Sequence, residues 1–209
     1  MNNDLIIIGS GGHSNSVIEV IEETKIYDNI YFVDDNYKKL KNLSNKKFLG
    51  KVKDVKKFKK YSSSVFVALG DNSIRENIIK QVLDYDFKLI NVISNTSVVS
   101  SSVKLSKGIF IGKSCLINAN TKIGKGSIIN TNSSIDHDCK IGNFCHIAPG
   151  CLLLGGVKIS NNTFLGARTT VLNNVSIGQK SKIGAVSLVN KNLNKYSVGF
   201  GIPFKIKSK

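Results

Sequence analysis

Tryptophan is absent from this 209-residue chain, arginine occurs only at Arg75 and Arg168, and histidine only at His13, His137 and His146. No apolar run approaches the roughly 20 residues that a bilayer-crossing helix needs, so membrane insertion is not expected. The N-terminus, Met1-Asn2-Asn3-Asp4, has no basic stretch, and Leu5-Ile6-Ile7-Ile8 is too short for the apolar core of a secretion signal. A cytoplasmic protein is therefore expected. Cysteines spaced as CxxC are also missing, which removes the commonest zinc and redox signatures.

What the chain has in excess is lysine, and the formal net charge is +16. Such a charge suggests nucleic acid, because clustered cations displace counterions from phosphates. The scarcity of arginine and the lack of a base-stacking aromatic array argue against that partner. The densest basic stretch, Lys51 to Lys60, contains Asp54 and Val55 and reads as the wet face of a short helix. A basic surface suits small polyanionic ligands equally well.

A strict period of six dominates the second half of the chain. Stepping by six from Ile93 gives Val99, Leu105, Ile111, Ile117, Ile123, Ile129, Ile135, Ile141 and Ile147, then Leu153, Ile159, Leu165, Val171, Ile177, Ile183 and Val189. All 17 positions are branched aliphatics without a slip in register. Four residues after each, from Cys115 to Ser187, runs a lane of small or β-branched residues, and all four cysteines (Cys115, Cys139, Cys145, Cys151) fall in it. They are expected to be packed, reduced thiols. Glycine recurs just after the aliphatic lane, as at Gly112, Gly124 and Gly142, where a turn with unusual backbone angles is expected. Each unit makes a short strand and a corner, and three units close one triangular coil whose aliphatics point inward.

Residues 1–92 have another rhythm. Leu5-Ile6-Ile7-Ile8 is a buried strand running into Gly9-Ser10-Gly11-Gly12-His13 and a helix from Ser14 to about Lys25. Ile30-Tyr31-Phe32-Val33 and Val65-Phe66-Val67-Ala68-Leu69 are further strands, ending in Asp34-Asp35-Asn36 and Gly70-Asp71-Asn72. Alternating strands and helices predict a small parallel, Rossmann-like sheet. Its glycine-rich first turn aims backbone N–H groups and a helix N-terminus at an anion, although the G-x-G-x-x-G spacing is not met. Asp34 and Asp35 are suited to accept hydrogen bonds from ribose or base groups.

For general-base chemistry the histidines are the candidates. His137 stands in Ile135-Asp136-His137-Asp138-Cys139, two residues after an inward aliphatic and therefore at a corner. A carboxylate on each side orients an imidazole and raises its basicity. His146 follows nine residues later, half a coil onward. Together with Gly11-Gly12-His13, Val33-Asp34-Asp35, Ala68-Leu69-Gly70-Asp71-Asn72, Asp136-His137-Asp138-Cys139-Lys140-Ile141-Gly142 and Gly199-Phe200-Gly201-Ile202-Pro203, the whole chain resembles the sialic-acid O-acetyltransferase family of hexapeptide-repeat acyltransferases. Within it the resemblance is nearest to the nucleotide-sugar 4-amino N-acetyltransferases of the bacillosamine-pathway type.

That resemblance implies a left-handed parallel β-helix over 93–192, a nucleotide-sugar-binding domain over 1–92 and a tail over 193–209. It implies acetyl-CoA as co-substrate and a nucleotide-linked aminodideoxy sugar, UDP-bound, as acceptor. It also implies a homotrimer with active sites between adjacent β-helices, serving glycan biosynthesis. His137 matches the general base, and Asp138 matches the acidic residue that raises its basicity, where the family usually carries the longer Glu. His146 matches a residue near the acetyl group, and Gly155 a backbone donor toward the oxyanion. Ala167 and Ala185 fall at acetyl-CoA contacts made through backbone, and Asn130 where the family meets the sugar. Gly11, Gly12, His13, Asp34, Asp35 and Gly70 match the nucleotide-sugar pocket. Pro203-Phe204-Lys205 departs from the usual Pro-Ala-Lys, which is expected to alter contacts near the cofactor. No covalent nucleophile is implied, so transfer is direct. Three other readings compete. O-acetylation of a sialic-acid-like sugar is one. A zinc carbonic anhydrase on the same helix needs three histidines, and here the third, His13, lies in the other domain. A non-catalytic nucleotide-sugar-binding protein is disfavoured by the intact His137–Asp138 pair.

Overall fold

The computed structural model describes residues 3–36 and 47–207. The first five strands form one parallel sheet: β1 (Leu5–Ile8), β2 (Ile30–Val33), β3 (Lys47–Gly50), β4 (Ser64–Val67) and β5 (Lys88–Leu89) lie in the order β3-β2-β1-β4-β5. All four residues of β1 are fully buried, as an apolar run between two layers must be. Helix α1 (Gly12–Thr24) buries Val17, Ile18, Val20 and Ile21. Helix α2 (Asn72–Asp84) starts where the Asp71 carboxylate accepts the Ile74 N–H at 2.9 Å. The lysine-rich stretch is a 3₁₀ helix, Val52–Lys60, which buries Val52 and Val55 and turns its lysines outward. Strands β3 and β5 carry no periodic signal in the sequence and are held by pairing with β2 and β4.

From Val92–Ile93 to Leu188–Val189 the chain is a three-sided prism of two-residue strands, each paired in parallel with the strand one coil on. Face I carries Phe110, Ile128, His146, Phe164 and Lys182 outward; face II carries Val98, Leu116, Ser134, Leu152, Thr170 and Leu188. Face III carries Lys104, Lys122, Lys140 and Lys158 on successive coils, so part of the excess charge forms a ladder along one side. Inside, the aliphatic column from Ile111 to Val189 and the small-residue lane share one continuous core. Full burial of one such aliphatic contributes roughly 1.5–3 kcal/mol, repeated at every corner of every coil.

The glycine lane does another job than expected. Gly112, Gly124 and Gly142 have no positive φ; a Cβ on Gly124 would sit 2.5 Å from the carbonyl carbon of Gly142 on the next coil. They are glycine because the coils stack closely there. The left-handed residues come two positions later, at Asn120, Asn132, Asp138, Asn162 and Asn174 among others, where Asn and Asp tolerate that conformation. Phe204, the departure in the tail, is 3 % exposed and closes the end of the core, and its amide donates to the Leu188 carbonyl. Its ring therefore points into the core. Val198–Phe200 pairs with Lys182–Ile183 as a further rung of face I.

The α/β domain sits on face I. Phe110 and Ile128 enter the same apolar cluster as α1 and β1, and Phe144, at the corner before face I, packs with α2 residues such as Ile79. Burial pushes the Cys145 thiol up to about 12 and those of Cys139 and Cys151 to about 11. Native protein at pH 8 should therefore leave all four cysteines unmodified by a chromogenic thiol reagent, and denaturant should release four per chain. Rapid stoichiometric labelling of folded protein would contradict this packing.

Candidate active site

Two groups of residues stand out, and the topology keeps them apart. The strand order reverses between β1 and β4, so the crevice at their carboxyl ends is the natural ligand site of this sheet. Gly9 opens it at φ +104, a conformation open to glycine, where a Cβ would also lie 2.8 Å from Leu69. The first turn of α1 then begins at Gly11 and Gly12, both exposed, with Gly11 as N-cap. Asp34 accepts hydrogen bonds from the N–H and Oγ of Ser10, both at 2.6 Å, and from Asn36 N–H at 2.7 Å. Asp35 accepts the Val52 N–H at 2.9 Å. Both carboxylates thus brace the glycine-rich turn and its surroundings.

On face I, His13 and His146 come together although they lie far apart in sequence, their ring centroids 6.3 Å apart. The separation into two domains therefore did not separate these imidazoles. His13 stands edge-on to Phe110 and His146 edge-on to Phe164. Nδ1–H of His146 donates to the Gly70 carbonyl at 3.2 Å, and its Nε2 lies 3.4 Å from Nδ2 of Asn130. The expected contacts His13, Gly70, Asn130 and His146 are thus one cluster. Beside it opens a cavity of about 460 Å³ lined by Gly70, Asn72, Ser73, Phe164, Lys180 and Lys182, two lysines that the repeat pattern did not single out. Desolvation is the main force on both imidazoles, pushing His13 down to about 3 and His146 to about 4; His146 and Arg75 add to it at His13, and Arg75 at His146.

The second group occupies the corner between faces II and III. Nδ1 of His137 is 2.8 Å from Oδ2 of Asp138, and the His137 amide donates to Asp136 at 2.8 Å. Asp138 adopts φ 60, which swings its short carboxylate back onto the imidazole, so the Asp spans the distance. Asn120 and Asn118 hold Asp138 and Asp136 from the preceding coil, at 3.1 and 2.9 Å. The hydrogen bond to Asp138, followed by the charge of Asp136, raises the His137 pKa above its ordinary value. With Nδ1–H donated to Asp138, the lone pair is on Nε2. Gly155 lies against that atom: a Cβ there would be 2.8 Å from Nε2 and 2.7 Å from Cε1. Ala167 and Ala185 stack at the third kind of corner, between faces I and II, with the Val186 amide donating to the Ala167 carbonyl.

The corner bearing His137 is the one opposite face I. Within one chain the base candidate therefore cannot meet the His146 cluster.

Comparison with known proteins follows the same division. The PglD N-terminal domain matches residues 4–82, and the bacterial transferase hexapeptide (six repeats) matches residues 120–155. No curated protein sequence gives a significant match. Among solved structures, PerB from Caulobacter crescentus, in complex with CoA and GDP-perosamine, is 34% identical over 98% of this chain and 97% of its own, with TM-score 0.92. The chain belongs to this family of hexapeptide-repeat sugar N-acetyltransferases. The acetyltransferase domain of PglB from Neisseria gonorrhoeae, in complex with acetyl coenzyme A, is 26% identical over 99% of this chain and all of its own, with TM-score 0.92. WeeI from Acinetobacter baumannii, 20% identical over 97% of this chain and 99% of its own at TM-score 0.84, shares the fold. The matches fall on the N-acetyltransferase branch of the resemblance. The fold is a Rossmann-like domain followed by a left-handed β-helix, and the protein is an acetyl-CoA-dependent sugar acetyltransferase.

The histidine cluster predicts a pH dependence. His13 and His146 have folded pKa values far below the 6.5 of an unfolded histidine, so the unfolded state binds more protons below that value. Their contribution is complete above pH 6.5 and is lost as pH falls toward 4, on the order of 2 kcal/mol per unit. Denaturation curves between pH 7.5 and 4.5 should show that slope, and replacing both histidines by Asn should flatten it. A slope unchanged by the double substitution would show that these rings do not carry it.

Proposed function

We propose that the protein transfers the acetyl group of acetyl-CoA to the 4-amino group of a nucleotide-linked aminodideoxy sugar, as a cytoplasmic homotrimer with His137 as general base. The observation carrying this reading is the His137–Asp138 pair, oriented at 2.8 Å, with Gly155 fitted against its free nitrogen. In this mechanism the amine nitrogen attacks the thioester carbonyl while Nε2 of His137 takes its proton. The Gly155 N–H, unbonded among the described residues, faces the oxyanion as it develops. Collapse breaks the C–S bond, the amide is released, and the sulfur leaves with the proton from His137 as the thiol of CoA.

The opposition of the His137 corner and face I supports the oligomer, because the two groups meet only when a second copy brings its corner to this chain's His146 cluster. Face II adjoins that corner and leaves Val98 64 %, Leu116 40 % and Leu152 39 % exposed, which suits burial around a three-fold axis. The sheet crevice, with Gly11, Gly12, His13 and Gly70, takes the nucleotide sugar; Lys180 and Lys182 offer countercharge to its diphosphate. Asn130 and His146 meet the sugar and the acetyl group, and Ala167 and Ala185 line the path of acetyl-CoA.

PerB carries GDP-perosamine, which favours a GDP-linked acceptor over the UDP-linked one expected from the sequence. Two related structures of perosamine N-acetyltransferase replace one histidine by Asn or Ala, which fits a histidine of functional weight in that enzyme.

Thiol release from acetyl-CoA, followed with GDP- and UDP-linked 4-aminosugars and with free sialic acids, tests the reading. Turnover is expected with a nucleotide-linked amine alone; turnover only with sialic acid, or with none, overturns it. His137→Ala should lower kcat by about 100-fold or more while leaving the oligomer and melting temperature unchanged. Gly155→Ala should also lower kcat, because the imidazole must shift; wild-type rates in either variant would remove His137 from the mechanism.

A further inference from the structure

Arg75, on the first turn of α2, is the largest fully buried side chain among the described residues, at 1 % exposure. Among the described residues no carboxylate pairs with it. Its guanidinium instead reaches six acceptors on both domains. Nε donates to the Gly126 carbonyl at 2.7 Å, and Nη1 to the carbonyls of Leu69 and Gly70 at 2.9 and 3.0 Å. Nη2 donates to Oδ1 of Asn72 at 2.7 Å and to the Phe144 and Cys145 carbonyls, both at 3.2 Å. A buried cation that no carboxylate bonds directly, with only the charge of Asp71 nearby, is costly, and a clamp between domains could be built more cheaply from neutral groups. The charge and the fork therefore call for a role beyond adhesion.

That role lies at Gly70. Its carbonyl accepts from Nη1 of Arg75 and from Nδ1–H of His146, which places one oxygen between the buried cation and the imidazole. A carbonyl can only accept, so the shared bond fixes the proton of His146 on Nδ1 and turns Nε2, as an acceptor, toward Asn130. We propose that Arg75 is a positioning residue of the acceptor site, holding His146 through the Gly70 carbonyl as the neutral Nδ1–H tautomer. The groups facing His146 agree with this. His13 stands beside it from α1 and Arg75 behind it from α2, while Phe164 and Lys182 follow it along face I. Neither packed helix turns a carboxylate toward it that would favour imidazolium; Asp71, near Arg75, caps α2. Burial and the Arg75 charge keep both imidazoles neutral. A signal for Arg75 was present in the sequence, as one of only two arginines in a lysine-rich chain, but nothing showed where it pointed.

The proposal rests on the acetyl-transfer reading for its catalytic consequence, but its first test does not. In the full-length protein, nitrogen chemical shifts of His146 at pH 7 should report a neutral ring protonated at Nδ1; an Nε2–H ring or an imidazolium overturns the proposal. Arg75→Met, which removes the charge but not the burial, should raise the His146 titration. It should also lower kcat by about 10- to 100-fold with the KM for acetyl-CoA within about twofold. Arg75→Lys keeps the charge but not the fork, so the low titration should persist with only part of kcat restored. If both variants lose melting temperature while kcat and the His146 titration stay as in wild type, Arg75 is a clamp alone and the proposal fails. Should Arg75→Met not fold, the wild-type tautomer and the Lys variant still decide. Absence of turnover with every acceptor would refute the acetyl-transfer reading and leave the tautomer result standing.

Discussion

Each two-residue strand of the β-helix is hydrogen-bonded to the strand one coil away, and each branched aliphatic packs against its equivalents above and below. This stacking fixes the phase of every residue from Val92 to Val189: a one-residue slip would turn the aliphatic column out of the core. It decides which positions are corners and which corner each residue occupies. His137 is at the corner between faces II and III because Ile135 is inward on face II and Ile141 inward on face III. Asp138 takes the left-handed position of that corner and so reaches the imidazole. The chemistry is set by register before any ligand contact is considered.

The same geometry divides the labour. His137, the proposed base, and Gly155, which fits against it, sit on one edge of the prism. The nucleotide-type sheet, the His13–His146 cluster and the lysine-lined cavity sit on the face opposite. Arg75 joins the two domains of one chain on that face, bonding to loops of both. Its bonds give the His146 side a rigid frame, whereas the His137 side stays exposed. Under the proposed mechanism, a neighbouring copy supplies the complement of His137 and acetyl transfer takes place between chains.

Much of this was legible in the amino-acid order. The period of six gave the architecture, the inward column and the fate of the four cysteines, because phase in a solenoid is a local property. The carboxylates flanking His137 gave the base candidate for the same reason. What was not legible depends on contacts between distant segments. The glycines after the aliphatic lane serve close coil stacking, which no single coil reveals. Asp34 turns back onto Ser10, and His13 crosses the domain boundary to stand by His146. Phe204 fills the end of the core, a packing role that the tail motif alone does not reveal.

The proposed assembly of one site from two chains is tested most directly by co-expressing His137→Ala and Asn130→Ala chains, each expected to be inactive alone, and assaying the purified mixed oligomers. A base from one chain then meets an intact acceptor cluster on the next at a fraction of interfaces. Random assembly predicts roughly a quarter of wild-type activity from the mixture. Mixed oligomers as inactive as either parent would place both halves of the site in a single chain and contradict the account.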